Sequence, residues 1–344
     1  MTNRKVKEMG LLSKISKLPG FHRIFQWLHR MTKARFIRYS KMVNCDLRGM
    51  LVKKIIFDCD STVGLNKKPM DDALALLYLL GRPEEAEILA ITCTFANGTA
   101  EEVFRSTAAL LAEIGRTDIP LLLGAESGED PRSPAARFIV DTVNTHPGEI
   151  TLVAIGSLTN LYGAWMLDST VFEKVREIVL MGGYTAPLLY HGRHLEELNF
   201  SVNPKAAACV LNHGKNISIL TGNNTLEPSY LPREEFVEKL CSGSPGGRYI
   251  AEKCGYRFDD KAITCGEAAS YCWDVVATVY LLRPQLFEDA FCHCYICENG
   301  MHSGWLGVTQ PAPDTVLLNL PRVKDAARYR EEMYGGWLAF QVKA

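Results

Sequence analysis

Two pairs of carboxylates stand close together near the start of the patterned part of the chain. Ile55-Ile56-Phe57-Asp58-Cys59-Asp60 is a hydrophobic run ending in two acids one residue apart. Asp71-Asp72 then opens the apolar stretch Ala73-Leu74-Ala75-Leu76-Leu77-Tyr78-Leu79-Leu80. Strand alternation puts Asp58 and Asp60 on one side. A helix N-terminus, where the backbone dipole is positive, accepts Asp71 and Asp72. Either pair alone reads as an N-cap and a satisfied loop acid. Both pairs around one strand end read differently, because open α/β sheets place their sites at the carboxyl ends of strands. Four converging carboxylates repel one another, and a hard divalent cation with oxygen ligands would hold them together.

The elements that must position these acids follow from the hydrophobic pattern. Apolar runs of strand length occur at residues 54–59, 87–94, 119–123, 150–155, 177–181, 217–220 and 290–296. Helical patterns lie between them at 72–80, 100–114, 135–144, 158–167, 204–212 and 267–282. Buried-type strands alternating with helices predict an α/β fold, a doubly wound, mostly parallel sheet flanked by helices in a single domain. Loops rich in Gly, Ser and Pro are expected at 124–134 and 241–247.

Bulk composition narrows the function classes. The 344 residues are 47% hydrophobic and 22% charged, with a net charge of −1, as in an ordinary globular enzyme. No global charge favours nucleic acid or a membrane surface. The charge is nevertheless uneven. Residues 1–50 hold 12 of the 38 Lys+Arg and 2 of the 39 Asp+Glu, a net +10, which leaves −11 for the rest. The expected division is a basic N-terminal extension at 1–50 and a catalytic domain at 51–344. The segment Phe21-His22-Arg23-Ile24-Phe25-Gln26-Trp27-Leu28-His29-Arg30 has a basic amphipathic pattern suited to a membrane surface or an acidic partner. No secretory h-region and no bilayer-length apolar run is present in the sequence. The 11 cysteines lack a framework spacing, which predicts free thiols and a cytoplasmic location. Cys292-His293-Cys294-Tyr295-Ile296-Cys297 reads as strand packing, because no second pair completes a tetrahedral zinc site.

The strand ends carry further motifs: Thr94-Phe95-Ala96-Asn97-Gly98, Ile155-Gly156-Ser157-Leu158-Thr159-Asn160, Leu180-Met181-Gly182-Gly183, then Glu196-Glu197-Leu198-Asn199 and Cys272-Trp273-Asp274. In this order they resemble the inosine-uridine preferring nucleoside hydrolases, from about Lys53 onward. The resemblance implies Ca²⁺-dependent hydrolysis of the N-glycosidic bond of ribonucleosides, giving free base and ribose. It implies metal ligands at Asp60, Asp72, the Ile155 carbonyl and Asp274. It assigns Asp60 as the base that takes a proton from water, with Asp58 orienting it. Asp71, Asn97, Glu197 and Asn199 match residues that grip the ribose hydroxyls. A homodimer or homotetramer acting on a small-molecule nucleoside is the implied assembly.

Four departures from the family pattern bear on this expectation. Residues 61–70 replace a much shorter loop between the acid pairs, which brings Asn66 or Lys67 toward the pocket. Trp273 stands where many members carry a His that assists the leaving base. The purine-preferring branch also has Trp-Asp here, and an indole can stack on a base, so a purine nucleoside is the expected substrate. An Asn expected upstream of Glu197-Leu198-Asn199 is replaced by His191 or a neighbour. Residues 124–135 are short and lack the usual closing loop. Two other readings compete: a degenerate relative that binds a ribosyl ligand or Ca²⁺ without turnover, and a haloacid-dehalogenase-type phosphatase using Asp58 as nucleophile and Asp60 as acid. The latter lacks its downstream Lys and acidic strand end.

Overall fold

The computed structural model describes residues 52–65, 67–190 and 193–342. The basic extension 1–50, Asn66 and His191 lie outside the described residues.

A nine-stranded sheet forms the frame. Its strands are β1 (Lys53–Cys59), β2 (Ala86–Cys93), β3 (Leu121–Leu123), β4 (Ile150–Ala154), β5 (Glu177–Met181), β6 (Ile217–Leu220), β7 (Phe291–Tyr295), β8 (Gly307–Thr309) and β9 (Thr315–Asn319). Their order is β8-β7-β9-β6-β5-β4-β1-β2-β3. Pairing is parallel from β9 through β3, and only β7 runs antiparallel to its two neighbours. The chain builds outward from β1 to β3, then returns to the other side of β1 with β4. That reversal opens a crevice at the carboxyl ends of the strands it separates.

Strand alternation sorts β1 into two cores. Ile55, Phe57 and Cys59 pack in one cluster and Ile56 in the other. Both faces are therefore covered, as a parallel sheet requires. Helix α1 (Asp71–Leu80) is apolar nearly all round, and Asp71 through Leu79 are all buried. A helix of this composition must lie inside the protein. It is held from behind by the last helix (Ala326–Ala339), where Trp337 Nε1 donates to the Leu74 carbonyl at 2.9 Å.

Three expectations need correction. The helix expected at 267–282 begins only at Trp273 and runs to Leu282. Before it, Ala269–Tyr271 pairs antiparallel with Tyr230–Pro232, and this pairing wins over the local helical pattern. The loop expected at 241–247 is mostly helix: Ser244 caps Pro245–Cys254 through the Gly247 N–H, with Pro at the first position. Gly246 is needed there for closeness, since a Cβ would lie 2.0 Å from the Phe340 carbonyl oxygen. Strands β8 and β9 were not anticipated. The 292–297 cysteines behave as strand packing, with Cys294 buried and Cys292 packed against the same cluster. The described cysteines are free thiols. Among the described residues no helix is long and apolar enough to cross a membrane.

Candidate active site

Asp60 follows directly on β1 and is fully buried. Its N–H donates to Asp72 Oδ1 at 3.0 Å, and its Oδ2 accepts from the Asn97 N–H at 2.7 Å. Asp60 Oδ1 is buried without a hydrogen-bond partner among the described residues. Gly156 makes room for it, because a Cβ there would stand 2.8 Å from that oxygen. Asp58 sits one step behind. Its Oδ2 accepts from Thr92 Oγ1 at 2.6 Å and from Asn160 Nδ2 at 2.8 Å. Thr92 is its neighbour on β2, and Asn160 stands at the start of α2 (Thr159–Leu167).

Two helix N-termini point into the same place. Asp71 and Asp72 occupy the first turn of α1, and Asp274 that of α3 (Trp273–Leu282). Neither helix has a side-chain cap, so the free N–H groups and the dipoles favour negative charge there. Carboxylate oxygens of Asp71, Asp72 and Asp274 lie within 4.8 Å of one another, and all three residues are buried. Burial raises every one of these acids. Asp58 is pushed up to about 7 by desolvation, against the hydrogen bonds from Thr92 and Asn160. Asp60 is pushed up to about 6 by the same cause, against the Asn97 N–H. Asp72 and Asp274 are driven well above the carboxylate range by desolvation and then by their charged neighbours.

The donor set fits a hard divalent cation. All the donors are oxygens, and Asp60 Oδ1 and Asp72 Oδ2 are buried and unpartnered among the described residues. The expected ligands were Asp60, Asp72, Ile155 and Asp274. The structure groups Asp72 and Asp274 with Asp71, which the sequence had assigned to the ribose. Asp60 joins them through its bond to Asp72. The Ile155 carbonyl already accepts from Asn199 Nδ2 at 2.9 Å and has a second lone pair.

Above the acids lies a cavity of about 260 Å³. Asp71, Asn97, Ile155, Glu197, Asn199, Trp273 and Asp274 all line it, whereas the buried Asp58, Asp60 and Asp72 do not. Glu197 is anchored by three backbone donors: Gly183 at 3.1 Å, Phe200 at 2.9 Å and Ser201 at 3.0 Å. Asn199 bridges the Ile155 and Met181 carbonyls. Trp273 stacks on Tyr271, ring centroids 5.1 Å apart and planes at 29°. Tyr271, Arg257 and Lys261 also line the cavity and were missed in the sequence. The helix that carries the two cations, Tyr256–Cys265 (the pocket helix), was itself not anticipated. From the inserted loop, Pro69 and Met70 reach the cavity rather than Lys67. The pocket helix, Leu188 and residues 195–198 line the cavity walls, while 124–135 packs behind Asn160, whose Oδ1 accepts from Ser133.

Comparison with known proteins agrees with this geometry. Residues 55–320 match the family of inosine-uridine preferring nucleoside hydrolases. The chain belongs to that family. The inosine-uridine preferring nucleoside hydrolase of Crithidia fasciculata is 31% identical over 271 residues, 68% of this chain and 80% of that protein. Uridine nucleosidase 1 of Arabidopsis thaliana is 29% identical over 264 residues, covering 68% and 75%. A plant nucleoside hydrolase structure superposes with a TM-score of 0.72 at 23% identity, covering 84% of this chain and 100% of that one. A purine-preferring ribonucleoside hydrolase from Gardnerella vaginalis gives 0.69 at 21%, covering 83% and 99%. At those identities the structures establish the fold alone. As a nucleoside hydrolase, the protein cleaves the N-glycosidic bond of ribonucleosides. The phosphatase reading falls away with that membership.

Proposed function

We propose that this nucleoside hydrolase depends on Ca²⁺ and prefers purine ribonucleosides. The observation that carries the preference is Trp273 on the cavity wall, stacked on Tyr271 and next in sequence to the buried Asp274. An indole backed by a second ring offers a broad face to a two-ring base.

Water attacks C1′ as the bond to the base nitrogen breaks. The bonding pair leaves with the base, and the proton lost by water passes to Asp60. Asp58, bonded by Thr92 and Asn160, keeps the strand end in place behind it. Asp60, Asp72, Asp274 and the Ile155 carbonyl would hold the cation, with Asp71 beside Asp72 and Asp274 in the same group of carboxylates. A bound divalent cation supplies Lewis acidity toward water and hydroxyl oxygens. Asp71, Asn97, Glu197 and Asn199 bind ribose hydroxyls, and these contacts strengthen as the ring flattens and gains positive charge. The free cysteines fit a reducing cytoplasm. Residues 51–344 make up the catalytic domain, working as a homodimer or homotetramer, and the basic residues 1–50 are an appendage to it.

Release of ribose from a panel of purine and pyrimidine ribonucleosides, with and without a calcium chelator, tests the reading. Chelator-sensitive release, fastest on purines, is expected. Release that ignores the chelator removes Ca²⁺, and faster release from pyrimidines removes the purine preference.

A further inference from the structure

Arg257 is tied to the loop between the two acid pairs. Its Nη1 donates to the Lys67 carbonyl at 2.7 Å and to Asp260 Oδ2 at 3.0 Å. Beside it, the Tyr256 hydroxyl donates to the Lys68 carbonyl at 3.2 Å and accepts from the Gly64 N–H at 3.3 Å. Lys67 itself holds φ at +64°, a left-handed conformation uncommon for a non-glycine residue. The bond from Arg257 takes up the carbonyl that this conformation presents. The loop and the pocket helix thus grip each other at three points, and Arg257, so held, lines the cavity. Its side chain is only 14% exposed. Both of its bonds use Nη1, so the rest of the fork makes no hydrogen bond among the described residues.

We propose, resting on the ribonucleoside reading above, that Arg257 is a specificity residue that selects bases presenting acceptors rather than amino groups. A guanidinium only donates, and its planar fork matches two adjacent acceptors. A 6-oxopurine offers O6 and N7 on one edge, whereas a 6-aminopurine sets an N–H₂ donor against the fork. The same contrast separates uracil, with its O4 acceptor, from cytosine, with its N4 amino group. A donor set against this fork loses its water without gaining a partner. The base stacks on Trp273 whichever edge it carries, so stacking sets ring size and Arg257 sets edge chemistry.

The test is kcat/KM for inosine, adenosine, uridine and cytidine with wild type, Arg257→Gln and Arg257→Lys, each checked for an intact thermal transition. Wild type should favour the oxo member of each pair by roughly 10- to 100-fold. Arg257→Gln, whose amide can accept as well as donate, should bring both ratios close to unity. Arg257→Lys keeps the charge but not the fork and should fall between. A residue that only latched the loop would lower all four substrates by the same factor and leave the ratios intact. That result, or a wild type with no oxo preference, overturns the assignment. Release of ribose from none of the four by wild type overturns the ribonucleoside reading instead, and this proposal with it.

Discussion

The main-chain N–H of Asp60 donates to Oδ1 of Asp72 at 3.0 Å. This bond joins the strand end directly to the helix start across residues 61–70. The geometry that matters is set by β1, by the buried helix α1 and by one backbone-to-carboxylate bond, not by loop length.

Metal removal should make stability pH-dependent in a defined direction. Burial lifts Asp58 to about 7 and Asp60 to about 6 from 3.8. With the metal chelated, the folded protein keeps protons on these groups at pH values where the unfolded chain has released them. Their contribution is therefore fully present below about pH 4 and is lost as pH rises toward about 7. Urea midpoints in chelator should fall across that window. Saturating Ca²⁺, which binds the ionised forms, should remove most of the slope and raise the midpoint at pH 7. A chelated protein equally stable at both ends would separate these acids from the metal.

Asp60→Asn should stop turnover while leaving the fold. The amide oxygen can still accept from the Asn97 N–H, so the local bonding survives. What is lost is the proton acceptor and a charged ligand. General-base removal alone typically costs roughly 10²- to 10⁴-fold in rate. Single-turnover rates and a thermal melt check the two halves; wild-type turnover in the variant would take Asp60 out of the mechanism.

The sequence was informative wherever periodicity carried chemistry. Asp58 and Asp60 at a strand end and Asp71 and Asp72 at a helix start were readable from periodicity, Asp274 came only from the family resemblance, and the structure gathers these acids at one crevice. The pocket helix was not readable. Tyr256–Cys265 is short and mostly polar, anchored in the core by Phe258 against Phe236 and tied through Tyr256 and Arg257 to the loop at Lys67 and Lys68. Arg257 and Lys261 were hidden with it. Tyr271 was lost for a related reason: a three-residue strand paired to Tyr230–Pro232 overrode a helical pattern. Short elements fixed by distant partners leave little local signal.

Gly156→Ala should disable the site without touching a functional group. The added methyl would stand 2.8 Å from both Asp60 Oδ1 and Thr94 Cγ2. Thr94 is fully buried and bonded to Ser157 at 2.6 Å, so it cannot easily yield. The carboxylate of Asp60 must move instead. Calcium affinity, measured by calorimetry, should weaken together with kcat. A variant with native affinity and rate would mean that Asp60 Oδ1 is free to turn away at no cost.

Trp273→Ala separates stacking from the rest of the site. Trp273 is partly exposed to the cavity and stacked on Tyr271, whereas Asp274 beside it is buried among the acids. Truncation should therefore leave the cation in place and remove a face for the base. Base–aromatic stacking is worth about 1–3 kcal/mol by such substitutions, and a two-ring base has more surface to lose. The expected result is a larger fall in kcat/KM for inosine than for uridine, with calcium affinity retained. Tyr271→Ala should produce a weaker version of the same pattern, since it supports the indole at the cavity wall. Equal losses on both nucleosides would instead mark Trp273 as helix packing, and the purine preference would have to rest on another wall of the cavity.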